Sequence, residues 1–179
     1  MSRGFLFKEI EIENFHDIIT QIKSVADKYQ SNNQFYFNHI DRDSFLKDCD
    51  LVKKYFDENG CEISVVATIE IPPKSQCNLH VDSQIISSLA MNFPVLHCDD
   101  SYTSLYKIVS GTASSKKLSS GLTAMDFDGC EAVEISRYYL KDKAILFNTQ
   151  VPHRVFNNSD ELRYAVSFRF KKDPWHLIK

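Results

Sequence analysis

The sequence lacks long apolar runs, a signal-peptide pattern and any internal repeat. Its apolar stretches fall well short of the roughly 20 residues that a membrane-crossing helix requires. The N-terminal stretch MSRGFLFKEIEIENF is interrupted by charged residues and offers no cleavage site of the secretory kind. These absences predict a cytoplasmic protein with no membrane partner.

Paired cysteines and a strong excess of one charge are also missing. The five cysteines are irregularly spaced and form no CxxC pair, which argues against a disulfide framework and against a zinc–cysteine site. The formal net charge is only −3. A nucleic-acid partner is not expected, because binding would require a local cluster of basic residues, which the sequence does not indicate.

The chain has 179 residues, a length that predicts one domain spanning residues 1–179. Its N-terminal part, residues 1–60, reads as mostly helical. Apolar residues recur at helical spacing in 16–30 and again in 41–60. In the second segment an aspartate, Asp41 or Asp43, can cap the start, and Asn59-Gly60 provides a stop signal.

Residues 61–170 have a different pattern, rich in β-branched and aromatic residues that alternate with period two. Six or more strands following two helices favour a mainly β fold with flanking helices, in which a sandwich or barrel carries the helices on one sheet. The stretch 110–129 interrupts this pattern with small and polar residues. We expect a mobile loop there, long enough to serve a function.

One short stretch, CNLHVDSQ at 77–84, places a histidine and an aspartate two positions apart. If it is extended, His80 and Asp82 project from the same face, roughly 7 Å apart. Both side chains can then bind one metal ion between them. His-x-Asp alone is a weak signal, because surface strands often carry such polar pairs.

A second segment, 148–170, adds His153 and Arg163. A turn through residues 157–160 would bring a return strand, and with it Arg163, back alongside His153. Along that last strand the even positions are bulky and apolar, and so predict a core face. The odd positions, Arg163, Ala165, Ser167 and Arg169, suit the wall of a cavity that holds a polar ligand.

Two histidines and one carboxylate form the facial triad typical of non-haem Fe(II) oxygenases. The order His80-x-Asp82, then His153, then Arg163 resembles the Fe(II)- and 2-oxoglutarate-dependent oxygenases. HVDSQIISSLAMNFPV and FNTQVPHRVFNNSDELRYAVSFRF look most like the small oxygenases of bacteriophage and marine microbial genomes, distant relatives of the prolyl and aspartyl/asparaginyl hydroxylases. The resemblance covers residues 62–170 and implies a double-stranded β-helix, or jelly-roll barrel, with helices on its major sheet.

The same resemblance implies the cofactors and the roles of the site residues. His80, Asp82 and His153 would bind Fe(II), with 2-oxoglutarate and O2 as co-substrates. Arg163 would pair with the far carboxylate of 2-oxoglutarate through a two-pronged contact. Family members often carry a serine two positions after this arginine, but Ala165 stands here. The remaining candidates for a polar partner of the co-substrate are Ser167, Asn92 and Tyr106.

The expected activity is hydroxylation of a C–H bond with release of succinate and CO2. Two other functions remain open at this point. One is a cupin-like metalloenzyme that does not use 2-oxoglutarate, and the other is a non-catalytic jelly-roll binding module. The substrate is unspecified and could be peptidyl or a small molecule, since the sequence has no peptide-binding or base-stacking signature. Nor does the sequence indicate an oligomeric state.

Overall fold

A computed structural model describes residues 4–31, 37–82, 87–117 and 123–178. The elements are, in chain order, β1 (Phe7–Ile10), α1 (Phe15–Tyr29), β2 (Asn38–Ile40), α2 (Arg42–Asp48), α3 (Asp50–Glu58), β3 (Ile63–Ile71), β4 (Ser75–Gln76), β5 (His80–Val81), β6 (Leu89–Leu96), β7 (Ser101–Ser110), β8 (Ser114–Lys117), β9 (Thr123–Asp126), β10 (Glu131–Tyr139), β11 (Ala144–Asn148), β12 (His153–Asn157), β13 (Arg163–Phe170) and a final 3-10 turn (Trp175–Ile178).

The N-terminal helices form where the apolar spacing predicts them, with one difference. The segment expected as a single second helix is divided into α2 and α3 at Cys49, whose backbone leaves the helical region at φ −120° and ψ 67°. Asp41 caps α2 by accepting a hydrogen bond from the backbone N–H of Ser44 at 2.8 Å. Gly60, at φ 61°, follows the end of α3 in the left-handed conformation that glycine tolerates best. Among the described helices, none combines the length and apolarity that a membrane crossing demands.

Two antiparallel sheets build the rest of the chain. One has the strand order β1-β11-β6-β13-β3-β2, and the other has the order β10-β7-β12-β5-β9-β8, with β4 pairing with β12 at the side. The helices pack on the first sheet through a core that includes Phe45, Phe56 and Ile22. The expectation of a jelly-roll-like β fold with helices on its major sheet is confirmed.

Strand β13 separates the helix-facing core from the space between the sheets. Its even-numbered residues belong to the core under the helices, where the ring of Phe168 lies 5.0 Å from that of Phe56. Its odd-numbered residues face the other way, and all are buried as well. The alternation expected from the sequence is therefore observed, and it places two arginines, Arg163 and Arg169, inside the protein.

The stretch 110–129 is more regular than its composition suggests. It contains β8 and β9, which pair with each other, and β9 also pairs with β5 through Asp126 opposite His80. Much of the surface of this hairpin is exposed, so its strands do not need alternating apolar residues. Their small and polar residues therefore did not indicate strands. Residues 118–122 lie outside the described part of the chain, and mobility of the segment stays a prediction.

A buried carboxyl group lies on the helix-facing side of β3. Glu70 is 4% exposed, and its Oε1 accepts hydrogen bonds from the Thr68 hydroxyl at 2.9 Å and from the backbone N–H of Ser31 at 2.7 Å. Burial raises the pKa of Glu70, although these two hydrogen bonds oppose the shift. A raised pKa means that the folded state disfavours the ionised form.

This burial predicts a pH-dependent gain in stability for Glu70→Gln. The contribution of Glu70 to stability is fully present below the unfolded-state pKa and is lost as pH rises through the higher folded-state value. The amide oxygen of the variant can accept the same hydrogen bonds. The free energy of unfolding of the variant should therefore equal that of wild type near pH 4 and exceed it near pH 7. Urea denaturation at both pH values measures this. Glu62→Gln, which alters an exposed ion pair with Lys171, is the control, and a Glu70→Gln variant less stable than wild type at neutral pH would contradict the prediction.

Candidate metal centre

The backbone brings the two histidines together through one strand pair. His153, the first residue of β12, lies directly opposite His80, the first residue of β5, in an antiparallel pair. Residues opposite each other in such a pair project to the same face of the sheet. Asp82 follows β5, and its backbone N–H donates to the carbonyl of Thr149 at 3.1 Å. The His-x-Asp segment is thereby held against the segment that leads into His153.

The three side chains converge to metal-binding distances. Ligand atoms of His80, Asp82 and His153 all lie within 4.8 Å of one another, which makes them the metal-competent group found among the described residues. Asp82 Oδ1 lies 3.3 Å from His80 Nε2 and 3.8 Å from His153 Nε2. The sequence-predicted triad is therefore assembled in space.

Backbone carbonyls orient both imidazoles. His80 Nδ1 lies 2.8 Å from the carbonyl oxygen of Asn78, and His153 Nδ1 lies 2.9 Å from that of Val151. A carbonyl oxygen can only accept, so each Nδ1 carries a proton and each Nε2 is directed toward the cluster. Hydrogen bonds of this kind select the tautomer and fix the ring of a metal-binding histidine. The ring of Phe147 packs edge-on against His153, with ring centroids 5.3 Å apart.

The charges of the three groups are strongly coupled. Burial opposes the charge on His80, but hydrogen bonds to Asp82 and Cys77 outweigh it and raise its pKa well above the usual value. Burial likewise opposes ionisation of Asp82, yet the hydrogen bond with His80 and the nearby positive charges hold its pKa far below normal. Burial and the adjacent His80 charge lower the pKa of His153 to about 4. A cation that binds here takes the place of the proton shared by His80 and Asp82.

Arg163 does not lie beside His153 as the sequence suggested. It is 1% exposed, and its Nε donates to the hydroxyl of Ser101 at 2.9 Å. Ser101 is opposite Asn157, at the far end of the five-residue strand β12 from His153, about 13 Å away along the strand. The arginine therefore lies deeper between the sheets than the triad.

Several buried polar atoms on the inner faces of the sheets have no hydrogen bond of standard geometry among the described residues. They are Arg163 Nη1, the Tyr138 hydroxyl, Thr103 Oγ1 and Asn92 Oδ1. The Tyr138 hydroxyl is close enough to Thr103 and Asn92 for both to lower its pKa, but burial outweighs them and raises it. Arg163 Nη1 and the two hydroxyls can donate, and buried polar groups are nearly always paired, so these three groups suit an anionic ligand.

Two of the three other predicted polar residues face this interior. Asn92 on β6 and Ser167 on β13 are directly opposite each other, and both are buried. Tyr106 belongs to the other face of β7, which it shares with Tyr102, whose ring stacks on Phe156 at 4.7 Å. The structure thus places Asn92 and Ser167 in the interior between the sheets and leaves Tyr106 outside.

Sequence reasoning missed Thr103 and Tyr138, which take the place expected for Tyr106. They are opposite each other on β7 and β10. The alternation Ser101, Thr103, Leu105 on β7 could have revealed the first. The second was concealed by an irregularity in β10 between Glu134 and Ser136, because a bulge reverses the parity by which faces are assigned.

Arg169, rather than Arg163, contacts the triad. Its Nη1 donates to Asp82 Oδ2 at 2.8 Å, and its Nη2 donates to the carbonyl oxygen of Ser87. Sequence analysis assigned Arg169 to the interior face but gave it no partner. The pair could not be foreseen, because β13 and β5, the strand that precedes Asp82, belong to different sheets.

Comparison with solved structures places the fold. AviO1 from Streptomyces viridochromogenes Tue57 has a TM-score of 0.54 at 10% identity, over 94% of this chain and 90% of that chain. SnoK, a non-heme alpha-ketoglutarate-dependent carbocyclase from nogalamycin biosynthesis, has a TM-score of 0.53 at 8% identity, over 94% and 80%. A Pseudomonas putida prolyl-4-hydroxylase aligns with a TM-score of 0.49 at 12% identity, over 94% of both chains.

The likenesses to AviO1 and SnoK agree with the jelly-roll fold that the sequence led us to expect. At such low identity they concern the fold. No family model matches the sequence, and no curated protein matches it.

Removing any one of the three converging side chains should abolish tight metal binding. Each of the variants His80→Ala, Asp82→Ala and His153→Ala leaves two ligands. We expect the dissociation constant for Mn(II), measured by calorimetry, to rise at least ~100-fold. The reason is that one metal–ligand interaction contributes more free energy than a hydrogen bond to a charged group, which contributes up to about 3 kcal/mol. The exposed helix residue His16 provides the control, and His16→Ala should bind as wild type does. Unchanged binding in a folded triad variant would exclude these residues as the site.

Proposed function

We propose that this protein is an Fe(II)- and 2-oxoglutarate-dependent oxygenase that hydroxylates a C–H bond. The observation that carries the proposal is the combination of two features between the same two sheets. The first is the cluster of His80, Asp82 and His153. The second is a buried arginine, Arg163, with an unpaired Nη1, in the same interior as the hydroxyls of Tyr138 and Thr103.

The cluster has the donor set that Fe(II) requires. Two imidazole nitrogens and one carboxylate are the ligands of the facial arrangement, which leaves other positions on the metal for co-substrate and O2. The Nδ1 protons are held by carbonyl oxygens, so the Nε2 atoms are directed inward before a metal arrives. His80, Asp82 and His153 would therefore hold the iron with little rearrangement.

The deeper cluster suits the distant carboxylate of 2-oxoglutarate. A buried guanidinium is costly unless an opposite charge or hydrogen bonds compensate it. In the described part of the chain, Arg163 forms no salt bridge, and Ser101 is its side-chain partner. A carboxylate between Arg163, Tyr138 and Thr103 would supply the missing acceptor and the counter-charge. Arg163 lies deeper between the sheets than the triad, as expected if 2-oxoglutarate lies lengthwise with one end at the metal and the other at Arg163.

Bound Fe(II) would supply the redox chemistry that couples oxidation of 2-oxoglutarate to succinate and CO2 with oxygen transfer to the substrate. The protein's own part is positional. His80, Asp82 and His153 would fix the metal, Arg163 would fix the far end of the co-substrate, and the apolar ring of Phe147 against His153 would help keep water away from the reacting centre.

Two alternatives make different use of the same residues. A cupin-like metalloenzyme without 2-oxoglutarate would need the triad but would leave Arg163 with no ligand. A non-catalytic jelly-roll binding module would need neither the triad nor metal. Arg163, which has no salt bridge in the described part of the chain, favours the oxygenase over the first alternative, and the converging triad favours it over the second.

Anaerobic titration with Fe(II) and 2-oxoglutarate tests the proposal directly. Chelation of the metal by 2-oxoglutarate gives a visible charge-transfer band, and wild-type protein should show it. Arg163→Ala removes a charge-assisted contact of about 1.5–3 kcal/mol, so the dissociation constant for 2-oxoglutarate should rise roughly 10- to 150-fold. Succinate release should fall in parallel.

Arg154→Ala serves as the matched control, since it removes another arginine, one whose partner is Asp128. It should leave the titration unchanged. A folded wild-type protein that binds metal but shows no charge-transfer band and releases no succinate would favour the cupin-like alternative. A protein that takes up no metal would favour the binding module.

A further inference from the structure

The proposed function leaves one buried charge beside the metal centre without a role. Arg169 is 4% exposed and lies on the same face of β13 as Arg163, at the other end of the strand. It is too far along the strand to share the carboxylate expected at Arg163, since six positions span about 20 Å. Its contacts point to the triad instead.

The two oxygens of Asp82 are divided between different partners. Oδ1 faces the imidazoles, 3.3 Å from His80 Nε2 and 3.8 Å from His153 Nε2. Oδ2 accepts from Arg169 Nη1 at 2.8 Å. One oxygen is therefore directed to the metal position while the other is held by a charge-assisted hydrogen bond.

Arg169 is itself held by its second branch. Nη2 donates to the carbonyl oxygen of Ser87, just before β6. The Ser87 hydroxyl donates to the carbonyl of Leu89 at 2.7 Å and accepts from the backbone N–H of Phe170 at 3.2 Å. The guanidinium thus bridges Asp82 to the junction of β6 and β13, and a lysine ammonium cannot reproduce this planar fork.

Asp82 needs such support because it lies just beyond the two-residue strand β5. Its backbone is held by Thr149 and by the Gln150 side chain, which donates to the Asp82 carbonyl at 3.4 Å. Neither contact orients the carboxylate. Among the described residues, Arg169 is the donor that engages Oδ2.

We propose that Arg169 is a positioning residue that makes Asp82 a one-oxygen metal ligand. The inference rests on the proposed metal site. If Oδ2 were free to turn toward the metal, both oxygens could bind and one position needed by the co-substrate or O2 would be occupied. By holding Oδ2, Arg169 keeps the three-point arrangement open.

Charge and geometry make opposite predictions for this residue. A guanidinium near a metal dication repels it, so if charge alone mattered, its removal would strengthen metal binding. If Arg169 acts by orienting Asp82, its loss weakens binding, and so does a substitution that retains the charge but lacks the fork.

The experiment compares wild type with Arg169→Lys and Arg169→Met in Co(II) and Mn(II) titrations without 2-oxoglutarate. Loss of such a supporting contact typically weakens metal affinity 10- to 100-fold, and we expect a weakening in this range for both variants. The visible spectrum of the Co(II) form should also change, because a second oxygen of Asp82 can then reach the metal. Arg137→Met, which removes an exposed arginine paired with Glu134, should leave affinity and spectrum unchanged.

The results separate this inference from the proposed function. Wild-type protein that takes up no metal overturns the metal site itself. Wild-type binding with unchanged affinity and spectrum in Arg169→Lys overturns only the positioning role. Tighter binding by Arg169→Met, with wild-type behaviour of Arg169→Lys, would show that Arg169 acts through charge. Circular dichroism verifies folding, and Arg169→Lys decides the question if the methionine variant does not fold.

Discussion

The antiparallel pairing of His153 with His80 is the contact on which the proposed chemistry depends. It joins two strands that are distant in the chain and places both imidazoles on one face, because opposite residues of a strand pair share a side. The carbonyls of Asn78 and Val151 then set both rings, and Asp82 completes the cluster. A shift of this pair by one residue would turn one histidine to the opposite face of the sheet.

Buried positive charge is the second constraint on the interior. The two buried arginines of β13 lie at opposite ends of the strand and are compensated differently. Arg169 is compensated within the protein by Asp82, whereas Arg163 has a serine hydroxyl and unpaired polar neighbours. A low-dielectric interior makes an uncompensated cation costly. The contrast between two arginines on one strand face is the basis of our proposals, which assign an external anion to the Arg163 end and a metal-positioning role to Arg169.

Most of the architecture was predictable, because local periodicity reports which side of an element is buried. Alternation in β13 predicted its core face correctly, and helical spacing located α1 through α3. Prediction was wrong or incomplete where a local irregularity interrupts the period. Cys49 divides the second helix, and the irregularity in β10 left the face of the sheet on which Tyr138 lies unassigned. The hairpin of β8 and β9 was missed because largely exposed strands need no apolar side.

Local patterns were enough to identify which residue types could serve the site and how they are spaced: His80 with Asp82, a later His153, and two arginines on one strand face. Periodicity carries that information because each strand must bury one side. Which of these groups meet depends on the packing of the two sheets. Arg169 contacts Asp82 across the two sheets, and Arg163 lies with Thr103 and Tyr138 deeper inside. Such contacts depend on the register and packing of distant strands, which no local pattern encodes.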